Sequence, residues 1–257
     1  MSSHERALKD DANNVTYQRC QYAYEYVAPL MKDKHVLDVG CGLAYGTALM
    51  AAAAASIKGI DYDQSTLDDN KQRYASIKNM SFERVTVPPL PYPDNSFDVV
   101  TTFQFIEHIH KRKEFTKECI RVLKPGGKLY ITTPNTKRSL ARNPYHIHEY
   151  TFDEMKKEVG SLTSNFELLG LNGNERVRNY YEENGKFVRK ILKWDVLGLH
   201  KILPAKVVAA PYNLITSVMR NKLKDKVEAT AGITTADWFL QKTDLDDTWD
   251  IYVIVSK

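Results

Sequence analysis

The stretch that most constrains the fold is VLDVGCGLAYGT, Val36 to Thr47. A short apolar run reads as a buried strand. It enters Gly40-Cys41-Gly42 directly, and a helix-forming stretch follows from Tyr45. Glycine lets a chain turn sharply and lets a ligand approach the backbone. In open α/β sheets, ligands bind outside the carboxyl ends of the strands, where such a turn lies. The segment therefore demands a strand, a tight turn and a helix, with something held against the turn.

Hydrophobic periodicity supplies the neighbours. Helices are expected over 17–31, 45–55, 64–77 and 111–123, and strands over 35–39, 57–61, 81–87, 97–103 and 128–133. The proline-rich PPLPYPDNS separates two of these strands as a loop, since proline cannot donate to a ladder. Lys124-Pro-Gly-Gly127 is expected to stop the fourth helix. Thr151 with Glu154 has the spacing of a capping box and opens a helix to about residue 159. Strands are expected again over 165–171 and 249–255. Strands alternating with helices favour a doubly wound, mostly parallel α/β sheet. The roughly seventy-five residues between the last two strands must carry structure of their own. The expected organisation is an N-terminal helical segment (1–34), a core (35–175), a basic helical insertion (176–245) and a final core strand (246–257).

Asp61 ends the second strand in GIDYDQ. A carboxylate there accepts hydrogen bonds from adjacent ribose hydroxyls, so turn and acid together describe a nucleoside-containing ligand. A dinucleotide requires GxGxxG with pyrophosphate on the helix N-terminus. Here the third position is Tyr45, and Gly46 comes one residue late. Asp38, two residues before the first glycine, would oppose a pyrophosphate. The same carboxylate suits a cationic ligand bearing an amino group and a sulfonium. A nicotinamide-dependent oxidoreductase is the competing reading.

Together with LPYPDNSFDVV, FQFIEHI and VLKPGGKLYITTPN, these segments resemble the class I S-adenosylmethionine-dependent methyltransferases. The resemblance covers roughly residues 35–175 and the final strand. It implies a Rossmann-like, seven-stranded sheet whose last strand is antiparallel, with S-adenosyl-L-methionine as cofactor. It places Asp38, Gly40 and Cys41 at the methionine end, with Gly42 permitting close approach. Asp61 would take the ribose hydroxyls, Tyr62 would flank the adenine, and Gln104 would lie near the methionine moiety. The family often has a third glycine where Ala44 stands, and alanine there is expected to keep a negative φ. No acid for the adenine amino group is found near Thr86-Val87.

NPYHIHEYT (Asn143 to Thr151) falls after the fifth strand, on the ligand edge. It resembles a segment of small-molecule and saccharide methyltransferases. His146 is the candidate base for a hydroxyl proton, with Glu149 orienting it. Glu107, His108 and His110 follow the fourth strand without a recognised metal spacing, so no metal is expected. The expected function is O-methylation of a small-molecule, glycan or lipid-linked acceptor. N- or C-methylation and cofactor binding without catalysis are the alternatives.

Net charge is +4, yet residues 186–226 hold ten Lys/Arg against two acids, among apolar clusters. That pattern suits an interfacial helix or a lid, with an anionic membrane surface as partner. Beyond charge, nothing speaks for nucleic acid. Three scattered cysteines, a polar N-terminus without a secretory signal and no long apolar span fit a cytoplasmic protein, peripheral to the membrane if the basic segment binds it.

Overall fold

A computed structural model describes residues 15–139, 143–192, 208 and 232–257. The described residues include the helices α1 (Val15–Val27), α2 (Tyr45–Ala51), α3 (Gln64–Arg73), α4 (Arg112–Val122), α5 (Phe152–Gly160) and α6 (Glu175–Leu192). Eight strands form one sheet: β1 (His35–Val39), β2 (Ser56–Asp61), β3 (Met80–Arg84), β4 (Phe97–Phe103), β5 (Leu123–Pro134), β6 (Phe166–Gly173), β7 (Trp238–Gln241) and β8 (Asp250–Ser256). Their order is β3-β2-β1-β4-β5-β8-β6-β7. β3 through β5 run parallel, whereas β8 is antiparallel to both β5 and β6, and β7 is antiparallel to β6.

The sheet thus has eight strands rather than seven. The extra strand, β7, is four residues long and pairs with β6 only. It lies within the stretch expected to be a helical insertion, which is helical over α6. The rest of the basic stretch, 193–207 and 209–226, lies outside the described residues, as do 1–14.

Burial explains the central strands. Val36, Leu37, Asp38 and Val39 of β1 are all buried, as a parallel strand covered on both faces requires. One core packs α4 and α5 on the sheet through Phe115, Cys119, Phe152 and Met155. A second packs α1, the 3-10 turn after it and α2 on the other face through Tyr24, Val27, Met31 and Met50. A third, smaller core joins α1, α6, β7 and β8 through Val15, Val177, Trp238 and Trp249. In α4 the buried Phe115, Cys119 and Val122 recur at helical spacing.

Lys124-Pro-Gly-Gly127 does not act as a separate stop between helix and strand. α4 ends at Val122, and β5 begins at the next residue. Phe97 pairs with Leu123, but Val99 pairs with Lys128, so the intervening residues bulge out of register. A side chain at Gly127 would meet the Lys124 and Asp98 carbonyl oxygens within 3 Å.

The order β2-β1-β4 puts the reversal of winding between β1 and β4. That is where open α/β sheets take ligands. The β1 turn and the residues after β4 therefore share one crevice with the end of β5, where Pro134 pairs with Asp250 at the start of β8.

Candidate active site

The glycine turn is held from below and from the side. The Gly40 and Cys41 amides both donate to the Ile60 carbonyl, at 2.8 and 3.0 Å. From α3, Asn70 Nδ2 donates to the Gly42 carbonyl at 2.7 Å, and the Tyr74 hydroxyl to that of Leu43 at 3.2 Å. Cys41 is buried. Gly40 and Gly42 have φ of +78° and +49°. A Cβ on Gly40 would strike the Phe105 ring at 2.3 Å, whereas one on Gly42 would meet nothing within 4 Å. The turn is therefore tight behind Gly40 and open before Gly42.

Ala44 has φ +58°, not the negative value expected. It is the N-cap of α2 in the left-handed conformation, which costs an L-residue roughly 1–2 kcal/mol. Gly46 is absorbed by packing, since a Cβ there would sit 2.3 Å from the Tyr24 ring of α1.

Asp38 is fully buried. It accepts from Thr47 Oγ1 at 2.6 Å and from Thr101 Oγ1 at 2.8 Å, tying β1 to α2 and β4. Burial pushes its pKa up to about 6, against the hydrogen bonds from Thr47 and Thr101. Asp61 accepts from the Gly42 amide and the Asp63 amide, both at 3.1 Å. Tyr62 is exposed beside it. Gln104 has φ +51°; its amide nitrogen donates to the Thr132 carbonyl at 2.9 Å. Its Nε2 donates to Thr132 Oγ1 at 3.3 Å.

The second half of the site is the loop after β5. Ile147 and His148 donate their amides to the Glu107 carbonyl, fixing the loop to the residues after β4. His146 Nδ1 lies 2.6 Å from a Glu149 carboxylate oxygen. Its Nε2 is 2.9 Å from Asn143 Nδ2, whose amide oxygen accepts from Tyr145 N at 3.0 Å. Burial would raise the Glu149 pKa, but hydrogen bonds from His146 and Ser139 hold it below the ordinary range. The expected pairing of His146 with Glu149 is thus present as geometry. His148 instead lies edge-on to Tyr150.

Glu107, His108 and His146 offer ligand atoms within 4.8 Å of one another. His108 Nδ1 is 3.0 Å from the Tyr145 carbonyl, and its ring meets that of His146 edge-on at 4.9 Å. Burial and the neighbouring His146 depress its pKa to about 4. Glu107 accepts from Thr133 Oγ1 at 2.9 Å. Both ring nitrogens of His146 already have hydrogen-bonding neighbours, so a cation here would have to displace the Asn143 amide.

Sequence reasoning missed the groups behind these residues. Thr47 and Thr101 give no signal alone, and Asn70 and Tyr74 look like ordinary helix residues. Arg19 and Asp250 form a buried ion pair at 3.3 Å on the same edge. The available signals were an arginine within an aromatic helix and an acid opening the apolar run WDIYVIV.

Comparison with known proteins bears on this crevice. Residues 37–131 match the family model described as a methyltransferase domain. A protein of Mycobacterium tuberculosis named "Probable S-adenosylmethionine-dependent methyltransferase" is 36% identical over 157 residues, 59% of this chain and 56% of its own. The ubiquinone biosynthesis O-methyltransferase of Coxiella burnetii is 32% identical over 130 residues, 49% of this chain and 55% of its own. The chain therefore spans about half the length of the curated relatives it matches. The solved structure of the [4+2]-cyclase SpnF superposes with a TM-score of 0.60 at 19% identity, covering 96% of this chain and 85% of that one. That likeness concerns the fold alone. Residues 37–131 thus match a methyltransferase domain, and relatives matched over about half of this chain are named as S-adenosylmethionine-dependent methyltransferases, which points to S-adenosylmethionine as the cofactor.

The residues present fit that cofactor. The space before Gly42 is one that a Cβ would occupy, and Asp61 stands at its rim. Between them they offer backbone and carboxylate, the chemistry an adenosyl group with ribose hydroxyls needs.

Proposed function

We propose that the protein transfers the methyl group of S-adenosylmethionine to a hydroxyl of a small-molecule, glycan or lipid-linked acceptor. When bound, the cofactor supplies an electrophilic methyl carbon next to sulfur. The chain's own residues hold, orient and deprotonate. Gly42 admits the cofactor to the backbone, Asp61 takes the ribose hydroxyls, and Tyr62 covers the adenine. Asp38 lies beneath the turn with Gly40 and Cys41; its oxygens are engaged by threonines, so its part is the negative potential under the methionine end. Gln104 borders the same end.

The observation that carries O-methylation is the His146–Glu149 pair at 2.6 Å. Glu149 holds the proton on Nδ1, which leaves the Nε2 lone pair to act as base. An acceptor hydroxyl that displaces the Asn143 amide would hand its proton to Nε2 as its oxygen attacks. An amine in its neutral form needs no such base, and the C- and N-methylation alternatives lack this support. SpnF shares the fold under the name of a cyclase, so the reaction must be tested directly.

The test is a screen with labelled methyl donor over sugars, lipids, quinones and amines. Transfer to a hydroxyl, falling at least a hundred-fold in His146→Ala, supports the reading. Transfer to nitrogen or carbon alone, or full turnover in that variant, overturns it. Asp61→Ala should weaken cofactor binding by about 1–3 kcal/mol in calorimetry; unchanged affinity would remove the ribose role. Charge alone supports an anionic surface as partner of 186–226. Lys190, Lys193 and Lys201 changed to Glu should abolish salt-sensitive sedimentation with anionic vesicles.

A further inference from the structure

Beside the His146–Glu149 pair lies a group of buried polar atoms that make no hydrogen bond of ordinary geometry. Asp250 is 1% exposed, and neither of its carboxylate oxygens accepts a hydrogen bond of ordinary geometry. Arg19 Nε lies 3.3 Å from one of them and is itself without a hydrogen bond. The Tyr181 hydroxyl and Trp249 Nε1 are buried and unpaired as well. Their rings stack at 3.8 Å, which brings α6 against the start of β8. Tyr181 faces the charges of Arg19 and Asp250; Asp250 faces those of Glu149 and His146, and the Gln104 side chain lies within reach to donate to it. The group therefore adjoins both the cofactor side and the base. Buried polar atoms are paired in most folded proteins, and leaving one without a partner is costly. Here a 3.3 Å ion pair joins Arg19 to Asp250, and no hydrogen bond joins the four groups.

That arrangement has a chemical meaning. A hydroxyl both donates and accepts, so a ligand with adjacent hydroxyls can bridge a carboxylate and a guanidinium already set close together. Charge narrows the choice further. Glu107, Glu149 and Asp250 share this corner with Arg19, while Arg138, over the Trp249 ring at 4.1 Å, is already paired with Asp247. A phosphate or carboxylate would face excess negative charge. A cation would find acceptors but leave Arg19 Nε, the Tyr181 hydroxyl and Trp249 Nε1 without an acceptor.

We infer that Arg19, Tyr181, Trp249 and Asp250 form the acceptor subsite, and that it takes the vicinal hydroxyls of a neutral polyol or sugar ring. This inference rests on the methyltransferase reading and specifies its substrate class. The basic segment is then left to contact some other part of a larger acceptor, away from the reacting ring.

The full chain, saturated with S-adenosylhomocysteine, is titrated with four matched ring probes by saturation-transfer NMR. The probes are myo-inositol, myo-inositol monophosphate, cyclohexanol and cyclohexylamine. Myo-inositol should bind at least ten-fold more tightly than each of the others. Equal or tighter binding of any other probe overturns the proposal. Asp250→Asn and Tyr181→Phe should each weaken myo-inositol at least ten-fold and leave S-adenosylhomocysteine affinity unchanged. Tyr181→Phe removes an orphaned hydroxyl, so the free protein should melt at the same temperature or higher. If that variant melts lower and still binds myo-inositol normally, the hydroxyl is paired within the fold or to water, and the subsite fails. If S-adenosylhomocysteine does not bind the wild type, the methyltransferase reading fails. Myo-inositol binding without it would then report the subsite separately.

Discussion

Two glycines one residue apart do different work. Gly40 faces the Phe105 ring and Gly42 faces open space, though both have positive φ. Gly40→Ala should destabilise the fold by about 3 kcal/mol or more, from clash and strain together. Gly42→Ala should cost only about 1 kcal/mol in denaturant unfolding, yet weaken S-adenosylmethionine at least ten-fold in calorimetry. Equal effects of the two on stability would remove the distinction. Ala44 is the reverse case, a residue with a Cβ held at φ +58°. Ala44→Gly should stabilise by about 0.5–1 kcal/mol, the strain relieved less the extra freedom of the unfolded chain; a loss measured by urea unfolding would contradict this. The Gly40 and Gly42 pair was legible in the sequence because only glycine serves such a turn. The sign of φ at Ala44 was not, because alanine is compatible with either sign of φ until its neighbours are known.

Strands β1 and β4 match their expected limits, since each carries a mostly buried run, VLDV in β1 and VVTTF in β4. The capping box at Thr151 and Glu154 is present with both its hydrogen bonds. Two elements were not legible. β7 is four residues at a sheet edge, with only Trp238 buried, too short for period-two patterning to stand out. At Lys124-Pro-Gly-Gly127 the local turn chemistry is as expected, but the partner strand decides that it becomes a bulge. Helix packing gives the prediction at this scale. Gly46 lets α2 rest against the Tyr24 ring, so Gly46→Ala should push α1 from the sheet. A loss of about 1–3 kcal/mol is expected despite alanine's better helix propensity. Gly46→Ala combined with Tyr24→Leu should recover part of it, and strictly additive losses would show that the two do not touch. The site was half legible for a similar reason. Residues that meet a ligand through the backbone leave motifs, whereas Arg19 and Asp250 meet only through the fold.

Across the whole molecule, buried ionisable groups set the response to pH. Burial raises Glu107 from 4.5 to about 7, against the attraction of His146 and the hydrogen bond from Thr133, while Asp250 nearby adds to the rise. Asp38 rises from 3.8 to about 6. Groups that bind protons more tightly when folded stabilise fully below their ordinary pKa, and that contribution is lost as pH climbs through the raised value. His108, lowered from 6.5 to about 4, acts oppositely and loses stability as pH falls through that interval. Glu107→Gln should therefore stabilise the protein at pH 8 by on the order of 3 kcal/mol and make little difference at pH 4. A gain independent of pH, followed by thermal melts, would assign the effect to packing instead. One topological feature carries a last consequence. β8 lies between β5 and β6, over a hundred residues beyond the β5 segment it pairs with. Until it slots in, the sheet is a parallel half and a detached β6–β7 pair, yet the glycine turn belongs wholly to the parallel half. Trp249 and Asp250 arrive with the keystone strand, so the proposed acceptor subsite, unlike the glycine turn, is incomplete until that strand is in place.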